Sequence, residues 1–374
     1  MIGAGLVGLA TARELQARDS ALSVVVIDRA GRVAAGQSGH NSGVVHAGIY
    51  YRPGSAKAEL CREGRELLYE FCAEHGIAHE RSGKLIVAST AAELGRLDEL
   101  ERRGRANAVP GLRRLDRGGL REIEPHCEGI AALHSPQTGI VDFPAVAREL
   151  AAQIKGGGGR LLLGAAAEAI ERGPGGVRIR RAGGDDVLAR RVVVCAGLGS
   201  DRFAEPRGEL RIVPFRGRYL RLRAPARVLV RSMIYPVPDP ELPFLGVHLT
   251  RTVGGEVILG PTALPLPTAA TIAWPGSWRM ARRWWRAAAR ELPLNVGRRA
   301  VVRVCARFVP ELSAADVTAG FAGVRAQALD RGGELVDDFV FGGDGAVVNV
   351  RNAPSPAATS SLAIARRIAD RVVL

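Results

Sequence analysis

Lysine is almost missing from this chain: of 52 basic residues only Lys57, Lys84 and Lys155 are lysines. With so much alanine and glycine alongside, the arginine bias reads as the codon usage of a GC-rich genome. The formal charge of +14 is therefore weak evidence for a nucleic-acid site. Such a site needs a clustered basic face or a known module, and neither is present, so no nucleic-acid partner is expected. The positive field suits an acidic substrate or an anionic membrane surface instead. No apolar run reaches the roughly 18–20 residues of a membrane span. No basic segment with an apolar core opens the chain, so a secretory leader is not expected. Cysteine is scarce: Cys61, Cys72, Cys127, Cys195 and Cys305 are odd in number and contain no C-x-x-C pair. That excludes a disulfide framework and a zinc site of the usual spacing, and points to a reducing, cytoplasmic compartment. Disorder is excluded by 47 % hydrophobic and 24 % charged residues. At about 150 residues per domain, 374 residues suggest two domains.

What is present concentrates at the two ends. Gly3, Gly5 and Gly8 form G-x-G-x-x-G, and Ala12 adds a small residue one helical turn on. The first glycine permits a tight turn, the second lets backbone approach a pyrophosphate, and the third lets helix pack on strand. A β-branched run from Ser23 ends at Asp28, 20 residues after Gly8, where a carboxylate hydrogen-bonds an adenosine ribose. The motif normally follows a strand of five or six residues, yet only Met1 and Ile2 precede Gly3. Either a strand lies upstream or the central strand of this Rossmann sheet is stunted. Residues 38–51 then hold three glycines with His40 and His46, a composition suited to a loop pressed against a ligand.

At this point the chain resembles the L-2-hydroxyglutarate dehydrogenase/oxidase family, within the D-amino-acid-oxidase-like (glycine oxidase-like) FAD-dependent superfamily. The match rests on His-Asn-Ser-Gly-Val-Val-His-Ala-Gly-Ile-Tyr-Tyr at 40–51, Ser-Gly-Lys-Leu-Ile-Val at 82–87, Thr-Gly-Ile-Val-Asp at 138–142, Cys-Ala-Gly-Leu at 195–198 and Ile-Val-Pro-Phe-Arg-Gly at 212–217. It continues through Ile-Tyr-Pro-Val-Pro-Asp at 234–239, Pro-Phe-Leu-Gly-Val-His at 243–248, Gly-Val-Arg-Ala-Gln-Ala-Leu-Asp at 323–330, Val-Asp-Asp-Phe at 336–339 and Val-Arg-Asn-Ala-Pro-Ser-Pro-Ala-Ala-Thr-Ser-Ser at 350–361. These segments run in family order over nearly the whole chain. Three departures stand out: the short first strand, and segments 202–211 and 264–301, which look shortened.

The resemblance implies an α/β fold. A discontinuous Rossmann-type FAD-binding domain would take 1–80, 141–205 and 320–374, and a substrate domain on a mainly antiparallel sheet would take 81–140 and 206–319. The residue pattern agrees, with helices over 57–75, 91–107, 144–154 and 360–372. Strands are read at 84–88, 161–163, 191–195, 219–222, 245–249, 257–259 and 347–350.

The implied reaction removes a hydroxyl proton and passes the Cα hydride to flavin N5. Electrons then go to quinone or oxygen. It needs a cation for the carboxylate, a base, and positive electrostatics at the flavin pyrimidine. Arg325 matches the position where amino-acid oxidases of the superfamily hold the substrate carboxylate. His46, His248 and His40 are the candidate bases, because neutral imidazole titrates near working pH. Tyr50, Tyr51, Tyr235 and Asn352 could hydrogen-bond substrate oxygens. Cofactor contacts are expected from Gly3, Gly5, Gly8, Asp28, Asn41, Ser42, Gly43, Ala196, Gly197, Arg351, Asn352, Ala353 and Pro354. A helix N-terminus after 349–361 would stabilise reduced anionic flavin. Lys57 and Lys84 could steer a dianion or simply be solvated. All four tryptophans fall in 274–285 among arginines, with Trp278, Ala281, Trp285 and Ala288 on one helical stripe. That suits either peripheral contact through 274–290 with the inner face of the cell membrane or inward packing. Two other readings stay open: an oxidoreductase of another small amino or hydroxy acid or glycerol 3-phosphate, and a truncated non-catalytic homologue. The C-terminal flavin-type segment disfavours a nicotinamide enzyme.

Overall fold

The computed structural model describes residues 1–203, 208–242 and 244–372. Part of segment 202–211 and Pro243 of the Pro-Phe-Leu-Gly-Val-His motif therefore lie outside the described residues. In chain order the elements that build the site are α1 (Leu6–Arg18), β1 (Val25–Asp28), α2 (Ala56–Glu74), β2 (Lys84–Ala88), β3 (Ala131–Ser135), α3 (Phe143–Gly156), β4 (Arg160–Leu163), β5 (Val192–Val194) and β6 (Leu210–Leu222). They continue with β7 (Met233–Pro236), β8 (His248–Arg251), β9 (Val257–Gly260), α4 (Pro275–Val296), β10 (Val317–Asp330), β11 (Val347–Asn352) and α5 (Ser361–Ala369).

The nucleotide-binding half holds two parallel strand pairs joined through Ile2. β1 pairs with β4, and β5 pairs with β11, both in parallel. Ile2 alone bridges the two pairs, in parallel register with Ile27 on one side and Val194 on the other. Four backbone bonds make the join: Ile2 N–H to Val193 O at 2.8 Å, Gly3 N–H to Ile27 O at 2.8 Å, Ile27 N–H to Met1 O at 2.9 Å and Cys195 N–H to Ile2 O at 2.8 Å. Ile2 is thus paired on both edges. Val26, Ile27 and Val194 beside it are buried, and α1, α3 and α5 cover the sheet through Leu9, Ala12, Leu150, Ile154 and Ala365.

The second sheet has nine strands among the described residues. One path runs β6–β9–β8–β7–β2–β3, and β10 flanks β6 along its whole length. Pairing is antiparallel except between β7 and β2, as a mainly antiparallel sheet requires. Leu85, Leu249, Leu259 and Phe308 form its core. Two strand boundaries differ from the sequence pattern. β6 begins at Leu210, not at 219, because Pro214 and Gly217 mask a continuous ladder. The strand read at 245–249 starts at His248, since Pro238, Pro240 and Gly246 interrupt regular pairing before it.

The four tryptophans divide between the inside and the outside. α4 is kinked at Trp284, whose φ and ψ are −106° and 15°. Trp274 and Trp284 pack inward against Phe215 and Leu329, while Trp278 and Trp285 are 63 % and 61 % exposed.

Candidate active site

Backbone geometry explains the first glycines one at a time. Gly3 has φ +110°, and a Cβ there would lie 2.3 Å from Cys195 O. A Cβ on Gly8 would lie 2.1 Å from Gly3 O. These two are needed for turn and packing. Gly5 is different: a Cβ would meet only Ser38 Oγ, at 3.1 Å, so protein packing does not account for its bareness. Gly5 is also the N-cap of α1 and offers no side-chain cap. Helix N–H groups and dipole are thereby left for an anion. Ser38 Oγ accepts from Leu6 N–H at 3.0 Å, a partner the sequence pattern did not single out. Asp28 accepts from Ala4 N–H at 2.7 Å and Ala30 N–H at 2.8 Å, which fixes its carboxylate at the end of β1.

From here one cavity of about 940 Å³ runs past Asn41, Ser42, Ala196 and Gly197 to His46, Tyr50, Tyr235, His248, Arg325 and residues 350–359. The groove joins the amino-terminal phosphate cradle to the carboxyl-terminal segment, as a stretched dinucleotide demands. FAD fits these residues: uncapped helix, bare Gly5, a carboxylate at the strand end, and a cavity at the upper end of ligand-pocket sizes. Arg351, Asn352, Ala353 and Pro354 line the same cavity. Gly43 does not; its φ of +73° serves the turn whose N–H is held by Asn41 Oδ1 at 2.8 Å. Asn41 spends its amide on Gln37 O and Ser38 O, so it builds the loop.

At the far end the imidazoles are neutral. His248 points Nδ1 at Gly246 O, 2.8 Å away, which makes Nδ1–H the donor and leaves Nε2 as acceptor. Its ring stacks on Tyr235 with centroids 3.7 Å apart and planes 21° apart. Burial above all, then Lys84 and Arg325, pulls its pKa down to about 3. His46 is lowered to about 3 by burial, then by Lys84, His248 and Lys57. Its Nδ1 is buried without a partner, its Nε2 lies 3.4 Å from Ser355 Oγ, and its backbone N–H donates to Thr359 Oγ1 at 3.1 Å. His40 sits farther along, with Nδ1 2.9 Å from Gly36 O.

Arg325 projects from β10, where it pairs with Phe215. Its Nη2 reaches Thr262 O at 3.4 Å and its guanidinium lies 5.2 Å from the Phe244 ring centroid. No carboxylate lies within ion-pair distance of it among the described residues, and burial lowers its pKa. The Tyr50 hydroxyl is buried without a partner. Tyr235 is wholly buried, and burial pushes its phenol up. Asn352 is differently employed than expected for a substrate ligand. It accepts from Ala328 N–H at 3.2 Å and donates to Val336 O at 2.9 Å and Asp338 O at 2.8 Å, so its amide is consumed by backbone. Arg351 is paired with Glu209 at 2.7 Å and Lys57 with Asp337 at 2.7 Å.

Two contacts tie the first loop to the strand of Arg325. Gln37 Oε1 accepts from Ala326 N–H at 2.8 Å. A Cβ on Gly323 would lie 2.2 Å from His40 O. Neither partner carries a sequence signal, because each contact joins residues nearly three hundred positions apart. No cluster of His, Cys, Asp or Glu able to hold a metal ion occurs among the described residues. All five cysteines are unpaired.

A glycine-cradled dinucleotide groove that ends at a partly buried guanidinium and two neutral imidazoles defines a flavin-dependent oxidoreductase. The family profile described as "DAO: FAD dependent oxidoreductase" matches residues 1–371, and the chain belongs to that family, with FAD as its cofactor. Within it, the chain is 44 % identical to the mitochondrial L-2-hydroxyglutarate dehydrogenase of Nematostella vectensis, over 99 % of this chain and 89 % of the relative. It is 42 % identical to the Homo sapiens mitochondrial enzyme of that name, over 100 % and 88 %. Identity to the Indibacter alkaliphilus L-2-hydroxyglutarate dehydrogenase is 38 %, over 99 % and 97 %. The fold is shared with the FAD-bound L-alpha-glycerophosphate oxidase of Mycoplasma pneumoniae, at TM-score 0.82 and 20 % identity over 100 % of this chain and 94 % of that one. It is shared also with glycine oxidase from Geobacillus kaustophilus, at TM-score 0.74 and 19 % identity over 99 % and 93 %.

Proposed function

We propose that this protein oxidises L-2-hydroxyglutarate to 2-oxoglutarate, with residues 1–80, 141–205 and 320–374 forming the flavin-binding part. The observation that carries the reading is a partly buried Arg325, with no carboxylate at ion-pair distance among the described residues, sharing one cavity with the free Nε2 of His248. FAD, which Gly3, Gly5, Gly8 and the open N-terminus of α1 would hold, would supply the two-electron oxidant. Arg325 holds the carboxylate next to the reacting carbon, its planar fork matching two oxygens. His248 Nε2 accepts the hydroxyl proton, because Gly246 O has already fixed the other nitrogen as donor. The buried walls of Tyr50, Tyr235 and His248 exclude water, which strengthens both interactions. Anaerobic mixing with L- and D-2-hydroxyglutarate, L-lactate, glycine and glycerol 3-phosphate tests this. Bleaching of the visible flavin band only by L-2-hydroxyglutarate is the expected outcome. Bleaching by glycine or glycerol 3-phosphate instead would replace the substrate.

Electrons leave to a quinone or to oxygen, and α4 is the proposed membrane contact. Trp278 and Trp285 face outward beside Arg279, Arg282 and Arg286, an interfacial composition. No helix among the described residues is long and apolar enough to cross a membrane. Co-sedimentation with anionic phospholipid vesicles is expected for the parent chain and strongly reduced after Trp278→Ser with Trp285→Ser. Equal sedimentation of both would remove α4 from the interface.

A further inference from the structure

Lys84 opens β2 and is 1 % exposed, so it is not the solvated lysine its sequence position allows. It has neither a hydrogen bond nor an ion pair among the described residues. Its Nζ lies 4.5 Å from the ring centroid of Tyr50 and 4.8 Å from that of Tyr235. Three cations that line the cavity are matched to an acid: Lys57 to Asp337, Arg103 to Glu99 and Arg351 to Glu209. Lys84, behind the Tyr50 and Tyr235 rings, and Arg325 have no such acid among the described residues. The strand order places them on opposite sides of the stacked pair His248 and Tyr235: β10 carries Arg325, β8 His248, β7 Tyr235 and β2 Lys84. An uncompensated buried ammonium is costly to stability and is kept where an anion comes to meet it. In front of it, the buried Tyr50 hydroxyl has no partner.

We propose that Lys84 and the Tyr50 hydroxyl form a second anion subsite, which holds the far carboxylate of a dicarboxylate whose first carboxylate rests on Arg325. This builds on the 2-hydroxy-dicarboxylate reading above and makes Lys84 a specificity-determining residue. Lys84 supplies the charge from behind the aromatic wall, and Tyr50 supplies the hydrogen bond.

Other groups around the ammonium hold their charge state near neutrality. His46 and His248 stay uncharged, each near pKa 3, and the Cys61 thiol is raised to about 12. Tyr50 and Tyr235 are raised and stay protonated. Burial lowers Lys84 to about 7. The subsite is therefore charged below that pH and loses its charge above it.

The test compares L-2-hydroxyglutarate with L-2-hydroxyvalerate, the same carbon chain without the second carboxylate. Lys84→Met should lower kcat/KM for the dicarboxylate about 100-fold, mostly through KM, and leave the monocarboxylate nearly unchanged. Tyr50→Phe should lower it about 10-fold, again for the dicarboxylate alone. Equal losses on both acids, or none, overturn the proposal. Should Lys84→Met fail to retain flavin, the parent enzyme decides. Its KM for the dicarboxylate should rise about tenfold per pH unit above 7, with no such rise for the monocarboxylate; parallel pH profiles overturn it. Should L-2-hydroxyglutarate fail to bleach the flavin at all, the functional reading fails separately. Glutarate binding, followed by the flavin spectrum across the same pH range, then tests Lys84: weakening above pH 7 supports the subsite, and constant affinity overturns it.

Discussion

Replacing His248 with asparagine is expected to lower kcat by about 10³ while flavin content and visible spectrum stay intact, since general-base contributions run about 10²–10⁴-fold. Asparagine preserves a donor toward Gly246 O, 2.8 Å from the native ring, but offers no basic lone pair at the Nε2 position. The pH profile sharpens the assignment. A base must be deprotonated to act, and burial has already lowered His248 to about 3. Activity should therefore persist to pH values well below the ordinary histidine range, with no acid limb near 6.5. His46→Asn should cost far less, because its Nε2 is directed toward Ser355 Oγ at 3.4 Å. Steady-state kinetics of the two variants settle the matter: if only His46→Asn collapses kcat, the roles exchange.

Arg325→Ala is expected to lower kcat/KM by about 10³, an effect in the range for removing one partner of a buried hydrogen-bonded charge pair. Most of it should appear in KM, because the carboxylate is bound in both ground and transition states. Arg325→Lys should restore only part, since an ammonium cannot reproduce the two-pronged geometry nor stack on Phe244, 5.2 Å from the guanidinium. Stopped-flow flavin reduction against substrate concentration separates affinity from chemistry. Normal kinetics in both variants would move the carboxylate clamp elsewhere.

Local rules made the amino-terminal half of the site legible. Gly3 and Gly8 do what their spacing says, because turn sterics act within a single βαβ unit, and Asp28 stands at the end of β1 where that spacing puts a carboxylate. The pairing of Ile2 was not legible: its partners Ile27 and Val194 lie on two different strands, the second far along the chain. Arg325 and the imidazoles were visible only through family resemblance, because nothing in their local pattern separates them from structural residues. Asn352 misled for a physical reason. Its neighbours line the cavity, but its own amide satisfies three backbone groups that strand pairing leaves open. Lys84 was ambiguous because a lysine opening a strand is normally solvated; its burial comes from Tyr50 and Tyr235, brought over it by tertiary packing. The tryptophan cluster divided by position: the stripe of Trp278 and Trp285 faces out, while Trp274 at the N-cap of α4 and Trp284 at its kink lie off that stripe and pack inward.

The bond from Ala326 to Gln37 and the close seating of Gly323 against His40 O have a consequence for mutagenesis. They fasten the loop beside the diphosphate cradle to the strand that aims Arg325, so the two behave as one mechanical piece. A substitution that shifts that loop is therefore expected to disturb the carboxylate clamp as well, although the two lie nearly three hundred positions apart.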